Sequence, residues 1–577
     1  MLYLKNEFEK ELFDLAVPKA FEKYDPERRM TKVWRGANGY HSRLANCEVH
    51  DVRGSLSFAY QLLNRDAEGD RQTAYDILYR VIPLQDINPA RNTYGIWSYY
   101  LEEDLELMNP PDWNWADFNA KTLLYILNEH ADKLTDDLKM RVKDSIMHAC
   151  RAIIKRNVGP GYTNISIMGS YVTIFAGELL NIPEILEYGK KRLATLHEYN
   201  IANGNFREFN SPTYTFVCIE ELTRILQDVK DEEALHLAGE LNDLAWKTIA
   251  LHYHPTTGQL AGPHDRAYGA LVGEGMRFEI ERALNYKIDI SDKDSLKRSP
   301  PGAGLFSQNS NCPEKYVPYF TGIEGERVHD DTFAPGRQAY TYMNKAFTLG
   351  SLHREMAWNQ HRNVLGYFGT VKKPVAVTIR SQKNGWDYCG SFMSTVQDKG
   401  RALTAINFTA GGYDTHCCLD AIKDGTIKAK DMRVRYVFEG AIGDLDAVQN
   451  GNTFIITHKE SGVKVKIVYS YAKFGNNDVK FELVKTDKAI SVDAVLYSGE
   501  ETDIKLADLE KAGVVCSIEM TDGEFSGIDT VTELEGDMMN STFGNLKVCI
   551  SENVVPFRTQ YDTLYLERDG VEYKPAF

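Results

Sequence analysis

Gly204-Asn205-Phe206-Arg207-Glu208-Phe209-Asn210-Ser211-Pro212-Thr213-Tyr214 has the wrong polar residues for a plain connector. Ser211 stands just before a proline, and that pair opens helices. The hydroxyl caps a bare backbone N–H, and proline at the first helical position has none to leave unpaired. The stretch 213–226 then puts Phe216, Ile219, Thr223 and Leu226 on one face of a helix. Tyr214 falls in the first turn, where unpaired N–H groups and the positive dipole end favour a phenolate or a bound carboxylate.

The same design recurs on both sides. Pro110-Pro-Asp-Trp-Asn-Trp-Ala-Asp117 opens a helix over 118–128. Gly159-Pro-Gly-Tyr-Thr-Asn164 opens another, with Ile165, Met168, Val172, Phe175 and Leu179 at helical spacing. Gly262-Pro-His-Asp-Arg-Ala-Tyr-Gly269 leads into a segment ending at 284. Asn114, Asn164, Tyr214 and His264 thus stand 50 residues apart. A period near 50 is what one hairpin of two helices occupies, and stacked hairpins bury their apolar faces against neighbours in a solenoid or a toroid. Every second helix start then points to one rim, so Asp117, Asn164, Tyr214 and the His264–Arg266 group are expected to converge there. Upstream, residues 1–30 read as a leading helix. A polar, aromatic loop over 34–43 and a helix near 55–63 bring His41, His50 and Arg53 to another helix start.

Beyond about residue 325 the period changes from helix to strand. Runs at 347–350, 375–380, 402–408, 432–438, 453–457, 464–471, 479–484, 491–497, 514–519 and 546–550 alternate polar with apolar residues, and turn signals separate them. The fold class expected is therefore an N-terminal array of helical hairpins over 1–325, of the incomplete α/α-toroid kind, and a C-terminal antiparallel β-sandwich over 326–577. The Pro/Gly-rich run 298–304 reads as the joint.

Composition narrows the partners. The 577 residues carry 66 basic and 82 acidic side chains, a net charge of −16, which argues against nucleic acid. An aromatic content of 11 %, with 32 tyrosines and 7 tryptophans, suits stacking on sugar rings. No run of about 18 apolar residues is present, so no membrane span is expected. The charged start lacks the apolar core of a signal peptide, and nine scattered cysteines contain no CxxC. Together these point to a reduced, cytoplasmic protein.

A helical array followed by an antiparallel sandwich resembles the toroid-plus-sandwich polysaccharide lyases: the heparinase II/III-like, chondroitin and alginate lyase families. Gly204-x-x-x-Glu208-x-x-Ser211-Pro212-x-Tyr214 resembles the Glu-x-Ser-Pro-x-Tyr segment of the heparinase II/III-like group. Tyr162-Thr-Asn164-Ile-x-x-Met168 is similar to their asparagine-bearing helix start. The order Asn164, Tyr214, Arg266 also matches the chondroitin-lyase-like order. The resemblance implies β-elimination on a uronic-acid glycan, with Asn164 and Arg266 binding the sugar carboxylate and Tyr214 as base. One departure stands out: no histidine lies among residues 205–213, where many relatives carry one. His50, His41 or His264 would have to serve. The Arg and His at the site also resemble the exo-acting rhamnose–glucuronate lyases.

The chemistry is consistent with that reading. Elimination needs a neutralised carboxylate, a base for the adjacent C5 proton, and an acid for the leaving oxygen. Arginine offers charged, bidentate bonds to a carboxylate. Arg266 and the helix N-terminus are expected to lower the Tyr214 phenol from its usual ~10. His41, Arg53, Trp115, Asp117, Glu208, Asn210 and Tyr268 are the candidate contacts to an acidic oligosaccharide. Hydrolysis by a Glu208/Asp265 carboxylate pair is the first rival, and a non-catalytic sugar-binding protein the second. No phosphate loop is present and no cofactor is expected. A structural zinc or calcium ion is conceivable at His252-Tyr-His254, His329-Asp-Asp331 or His416-Cys-Cys418, none of which has a complete ligand spacing.

Overall fold

The computed structural model describes residues 2–36, 40–411, 425–561 and 563–573; His416-Cys417-Cys418 lies outside them. The chain forms two compact units. The first comprises Met1–Ala202, Phe216–Trp246 and Glu274–Pro313, and the second Asn203–Thr215, Lys247–Gly273 and Glu314–Phe577.

The first unit is a set of helical hairpins. Val52–Arg65 packs on Asp70–Val81 and on Trp115–His130, and Trp115–His130 packs on Asp136–Arg156 and Thr163–Leu179. Local chemistry sets their ends. The Asp51 carboxylate accepts from the N–H groups of Arg53 and Gly54, Thr135 caps Leu138, and Asn157 closes its helix in the left-handed region. Every residue from Thr163 to Gly177 is buried, so this helix lies inside the others and has no side facing solvent. None of the described helices is long and apolar enough to cross a membrane.

Three readings of the helical half need correction. The leading helix is only Glu7–Phe21, and Tyr24–Asp25, Met30–Arg35 and Cys47–Asp51 form a three-stranded antiparallel sheet. Its outer pairing joins Thr31 to Asp51 across a long loop, without a hairpin turn to announce it. The 50-residue repeat also stops at its third opening. Residues 262–269 form no helix, because their N–H groups bond elsewhere: Asp265 to Phe209 O (3.1 Å), Ala267 to Gln360 O (2.7 Å). The next helix starts only at Glu274. Finally, the Pro/Gly run 298–304 is no free joint, since Phe306 just after it is fully buried with Leu12, Phe13, Phe278 and Leu296.

The second unit is built from antiparallel sheets. One has nine strands. In order they are Lys480–Lys485, Ala489–Lys505, Thr426–Gly440, Pro374–Lys383, Val364–Gly369, Phe347–Leu352, Arg337–Met343 and Arg327–Ala334, with Trp386–Asp387 beside Pro374–Lys383. The second has seven: Leu445–Asn450, Thr453–His458, Lys464–Phe474, Ala512–Thr521, Arg401–Phe408, Ser391–Asp398 and Arg354–Met356. Period-2 alternation directs Val377, Ile379, Val434, Tyr436 and Phe438 of the first onto Ile406, Val465, Ile467, Val514 and Ile518 of the second. Each such side chain, fully removed from water, contributes about 1.5–3 kcal/mol before entropy is counted. A five-stranded sheet from Thr530–Glu535 to Val571–Glu572 supplies Met539, Phe543, Leu546, Val548 and Ile550 to a further core with Val396, Leu403 and Val515. The fold class is thus helical hairpins of the α/α-toroid kind followed by an antiparallel β-sandwich.

Candidate active site

Within the second unit, three non-helical segments meet: 204–211, 262–268 and 358–363. Backbone bonds lace them together. Besides those of Asp265 and Ala267, Arg362 N donates to His264 O at 2.9 Å. Asn210, in the left-handed region at φ 45°, donates its amide to Ala261 O (2.7 Å) and Pro263 O (3.0 Å). Thr341 Oγ1 donates to Gly262 O at 2.8 Å. Asn210 was a candidate sugar contact; its amide instead holds the 261–263 backbone.

On this frame Ser211 does two jobs. Its Oγ accepts the Tyr214 N–H at 2.9 Å, which caps the helix Tyr214–Asp228, and donates to Arg266 O at 2.5 Å. One hydroxyl therefore fixes Tyr214 and Arg266 to each other. The Arg266 guanidinium lies over two rings, 4.5 Å from the Tyr214 centroid and 5.0 Å from that of Trp358. Its Nε donates to Gln360 Oε1 (2.7 Å), Nη1 to buried Glu208 (3.0 Å) and Nη2 to the Tyr214 hydroxyl (3.1 Å). The Tyr214 hydroxyl also lies 2.5 Å from the hydroxyl of Tyr268, a side chain 65 % exposed. Behind them Arg207 pairs with Asp265 at 2.8 Å, and Arg337 with Glu355.

The electrostatics differ from expectation at the key residue. Burial pushes the Tyr214 phenol well above tyrosine's ordinary range; Arg266 opposes this, while Tyr268 and Glu208 add to it. The expected depression does not occur, because lost hydration outweighs one guanidinium. Tyr214 in the free protein holds its proton. Burial also pushes the Asp265 carboxyl up, but Arg207, His361, Arg337 and Arg266 outweigh it and leave it below the usual carboxylate range.

A family model described as a domain of unknown function (DUF8769) matches residues 27–275. No curated protein sequence matches the chain. Among solved structures the chain is similar to heparinase III, at 10 % identity over 96 % of this chain and 92 % of that one, TM-score 0.45. It is similar to the Streptomyces coelicolor A3 chondroitin AC lyase in complex with chondroitin sulphate, at 10 % over 94 % and 85 %, TM-score 0.46. A mutant of the heparan sulfate lyase HepC from Pedobacter heparinus follows, at 9 % over 91 % and 81 %, TM-score 0.32. What those proteins cleave belongs to them; the chemistry of this chain rests on its own residues.

Those residues divide between the units. Tyr214, Glu208, Asn210, His264, Arg266 and Tyr268 lie in the second, while His41, His50, Arg53, Trp115, Asp117 and Asn164 lie in the first. Two of the histidines are poorly suited to supply an acid proton. His264 is fully buried, and burial, with Arg362 beside it, pushes its imidazole down to about 3. His50 has both ring nitrogens committed, to Glu102 Oε1 at 2.5 Å and Asp25 Oδ2 at 3.1 Å. His41 shares its Nδ1 with Pro110 O at 2.7 Å. Trp115 is no open platform, since it is buried against Tyr99 at 4.4 Å. Arg53 covers the Phe118 ring at 4.0 Å. Asn164 is buried in the inner helix, and burial pushes the Asp117 carboxyl up to about 7, with Arg192 and Arg156 opposing.

Sequence reading missed Trp358, Gln360 and His361. The run Ala357-Trp-Asn-Gln-His-Arg362, polar and aromatic between two strands, was the available signal. His361 also bears on metal binding. It groups with Asp265 and Glu355, with ligand atoms all within 4.8 Å of one another. His361 Nδ1 donates to Met356 O (3.0 Å), which leaves the Nε2 lone pair facing Asp265 Oδ1 at 3.6 Å. That oxygen has no hydrogen-bond partner. One imidazole with two carboxylates fits zinc better than calcium, which asks for six or more oxygens. A bound ion would tie the 262–268 segment to the 358–363 segment. Of the sites read from sequence, His254 has both nitrogens used, by Thr257 and Asn344 O, and His252 approaches Asp331 at 3.6 Å.

Proposed function

We propose that the protein is a lyase that cleaves a uronic-acid-containing oligosaccharide by β-elimination. Tyr214 transfers the proton, and Arg266 holds Tyr214 in place. The observation that carries this reading is the Tyr214 hydroxyl itself. It sits at a capped helix start and accepts from a guanidinium that also bonds Gln360 and Glu208 and lies over the Trp358 ring, with a second phenol in contact. A phenol in that setting is placed for proton transfer, and the guanidinium favours its anion when substrate arrives. Arg266 has three donors on protein groups, so its main task is to support Tyr214.

The hydrolytic alternative fits less well. A glycosidase needs one carboxyl held protonated. Glu208 is ion-paired to Arg266, and Asp265, paired to Arg207, is held below the usual range. The test is a screen of uronate-containing oligosaccharides, following ultraviolet absorbance of the conjugated enoate with product masses in parallel. Elimination gives the absorbing band and fragments with no added water. Fragments that gain water without the band would overturn the reading.

A further inference from the structure

We infer that Tyr268 and Tyr214 form one acid–base couple in which Tyr268 protonates the leaving oxygen, so that elimination proceeds on a single face of the sugar ring. The inference rests on the elimination reading above. Two phenolic oxygens stand 2.5 Å apart, one in the enclosed setting of Arg266 and Glu208, the other on a side chain 65 % exposed. An exposed tyrosine gains little from burial, and two phenols this close need a reason to share a proton. The Tyr214 oxygen already accepts from Arg266 Nη2, so a Tyr214 phenolate would be met by two donors, that N–H and the Tyr268 O–H.

The cycle balances without any further group. When substrate arrives, the pair loses one proton to water through exposed Tyr268, and a hop along the short bond places the charge on Tyr214 beside Arg266. The Tyr214 oxygen then takes the C5 proton of the uronate. The C5–H electron pair forms the C4–C5 double bond as the C4–O bond breaks, and the departing oxygen takes the Tyr268 proton. Tyr214 now bears a proton and Tyr268 a charge; the proton hops from one to the other and the pair is reset. This also accounts for His264, on the same segment as Arg266 and Tyr268, being fully buried and held neutral.

Base and acid oxygens this close must approach the ring from one side. Substrates therefore need the C5 hydrogen and the C4 oxygen cis, as in gluco- or manno-configured uronates. Galacto- or ido-configured uronates, in which the two are trans, would be refused.

The experiment compares wild type with Tyr268→Phe on two synthetic glucuronosides, one bearing a sugar at O4 and one bearing 4-nitrophenol there. A sugar alkoxide needs an acid to leave, and a nitrophenolate does not. Tyr268→Phe is expected to lose at least about 10²-fold more in single-turnover rate on the first than on the second, where the smaller loss reports only the phenolate donor and proton exit that Tyr268 also supplies. Equal losses on both, or none on the first, would overturn the pairing alone. Turnover by wild type of a galacturonoside at a rate matching the glucuronoside would overturn it as well. A wild-type protein that yields no enoate from either glucuronoside removes the elimination reading and this pairing with it.

Discussion

Arg266 donates to Gln360, Glu208 and Tyr214 of its own protein and lies over the Tyr214 and Trp358 rings. Replacing it by alanine withdraws the one group that pulls the Tyr214 phenol down, so its ionisation moves further up. The rising limb of the pH–rate profile should then shift to higher pH, and turnover at neutral pH should fall by about 1.5–3 kcal/mol of transition-state support. Arg266→Lys keeps the charge and loses the fork, so the limb should move less. A profile unmoved by either substitution would leave Arg266 as a packing residue. Tyr214→Phe should lower the chemical step about 10²–10⁴-fold with folding intact, and Glu208→Gln should be milder. The reverse ranking in single-turnover rates would favour hydrolysis. At this scale the sequence showed Tyr214 and Glu208, because Ser211-Pro212 marks a helix start by local chemistry. Arg266 could be seen only as a nearby charge. Gln360 and Trp358 could not be seen, since their partner lies 94 residues upstream of Gln360 and no local rule links the two.

The elements around the site impose their own constraints. Strand Phe347–Leu352 carries Gly350, where a Cβ would lie 1.8 Å from Gly262 O, the carbonyl that Thr341 also binds. Gly350→Ala must push out the 262–268 segment that bears Arg266 and Tyr268. A displacement near 1 Å costs about 10²-fold in turnover, while global melting should change little; unchanged kinetics in a folded variant would show that the segment adapts. Farther along the nine-stranded sheet, Asp493 is fully buried and takes Arg433 at 2.7 Å and Arg435 at 2.6 Å from the neighbouring strand, where Arg435 is its register partner. Asp493→Ala takes the carboxylate from Arg435 and one of two from Arg433, which keeps Asp431, and should cost about 1.5–3 kcal/mol, read as lost hydrogen-exchange protection in strands Ala489–Lys505 and Thr426–Gly440. Strands such as these were legible because one face alternates. Ser391–Asp398 was not, because seven of its eight residues are buried and no alternation survives. The helix expected to open at 262–269 starts only at Glu274, for a different reason. Proline and glycine there signal a turn equally well, and only partners distant in sequence decide.

Across the whole molecule, buried titratable groups are sorted by unit. In the helical unit, burial pushes Asp117, Glu221 and Glu279 up to about 7. In the sheet unit, burial pushes His254, His329, His353 and His361 down to about 4, and His264 to about 3. The signs oppose. A carboxyl with a raised folded pKa contributes stability that is full below its unfolded value near ~4 and is lost as pH rises through about 7. A histidine with a depressed folded pKa contributes stability that is full above ~6.5 and is lost as pH falls toward about 4. Between roughly pH 6.5 and 4.5, acidification should therefore firm the helical unit and loosen the sheet unit. His130, pushed down to about 4 by burial, is the helical unit's partial counterweight. Each group contributes at most about 1.4 kcal/mol per pH unit in that window, so five histidines against three carboxyls separate the two units by several kcal/mol. Hydrogen exchange read by mass spectrometry at pH 7 and at pH 5, corrected for the intrinsic exchange rate, resolves them. Protection should fall in Thr426–Gly440 and Ala512–Thr521 and hold or rise in Thr163–Leu179. A loss in the helical unit would mean that its buried carboxyls are not held protonated by the fold, and unchanged protection in the sheet unit that its buried histidines are not held neutral. The proton carriers of the proposed chemistry would then have to be sought among them rather than in the tyrosine pair.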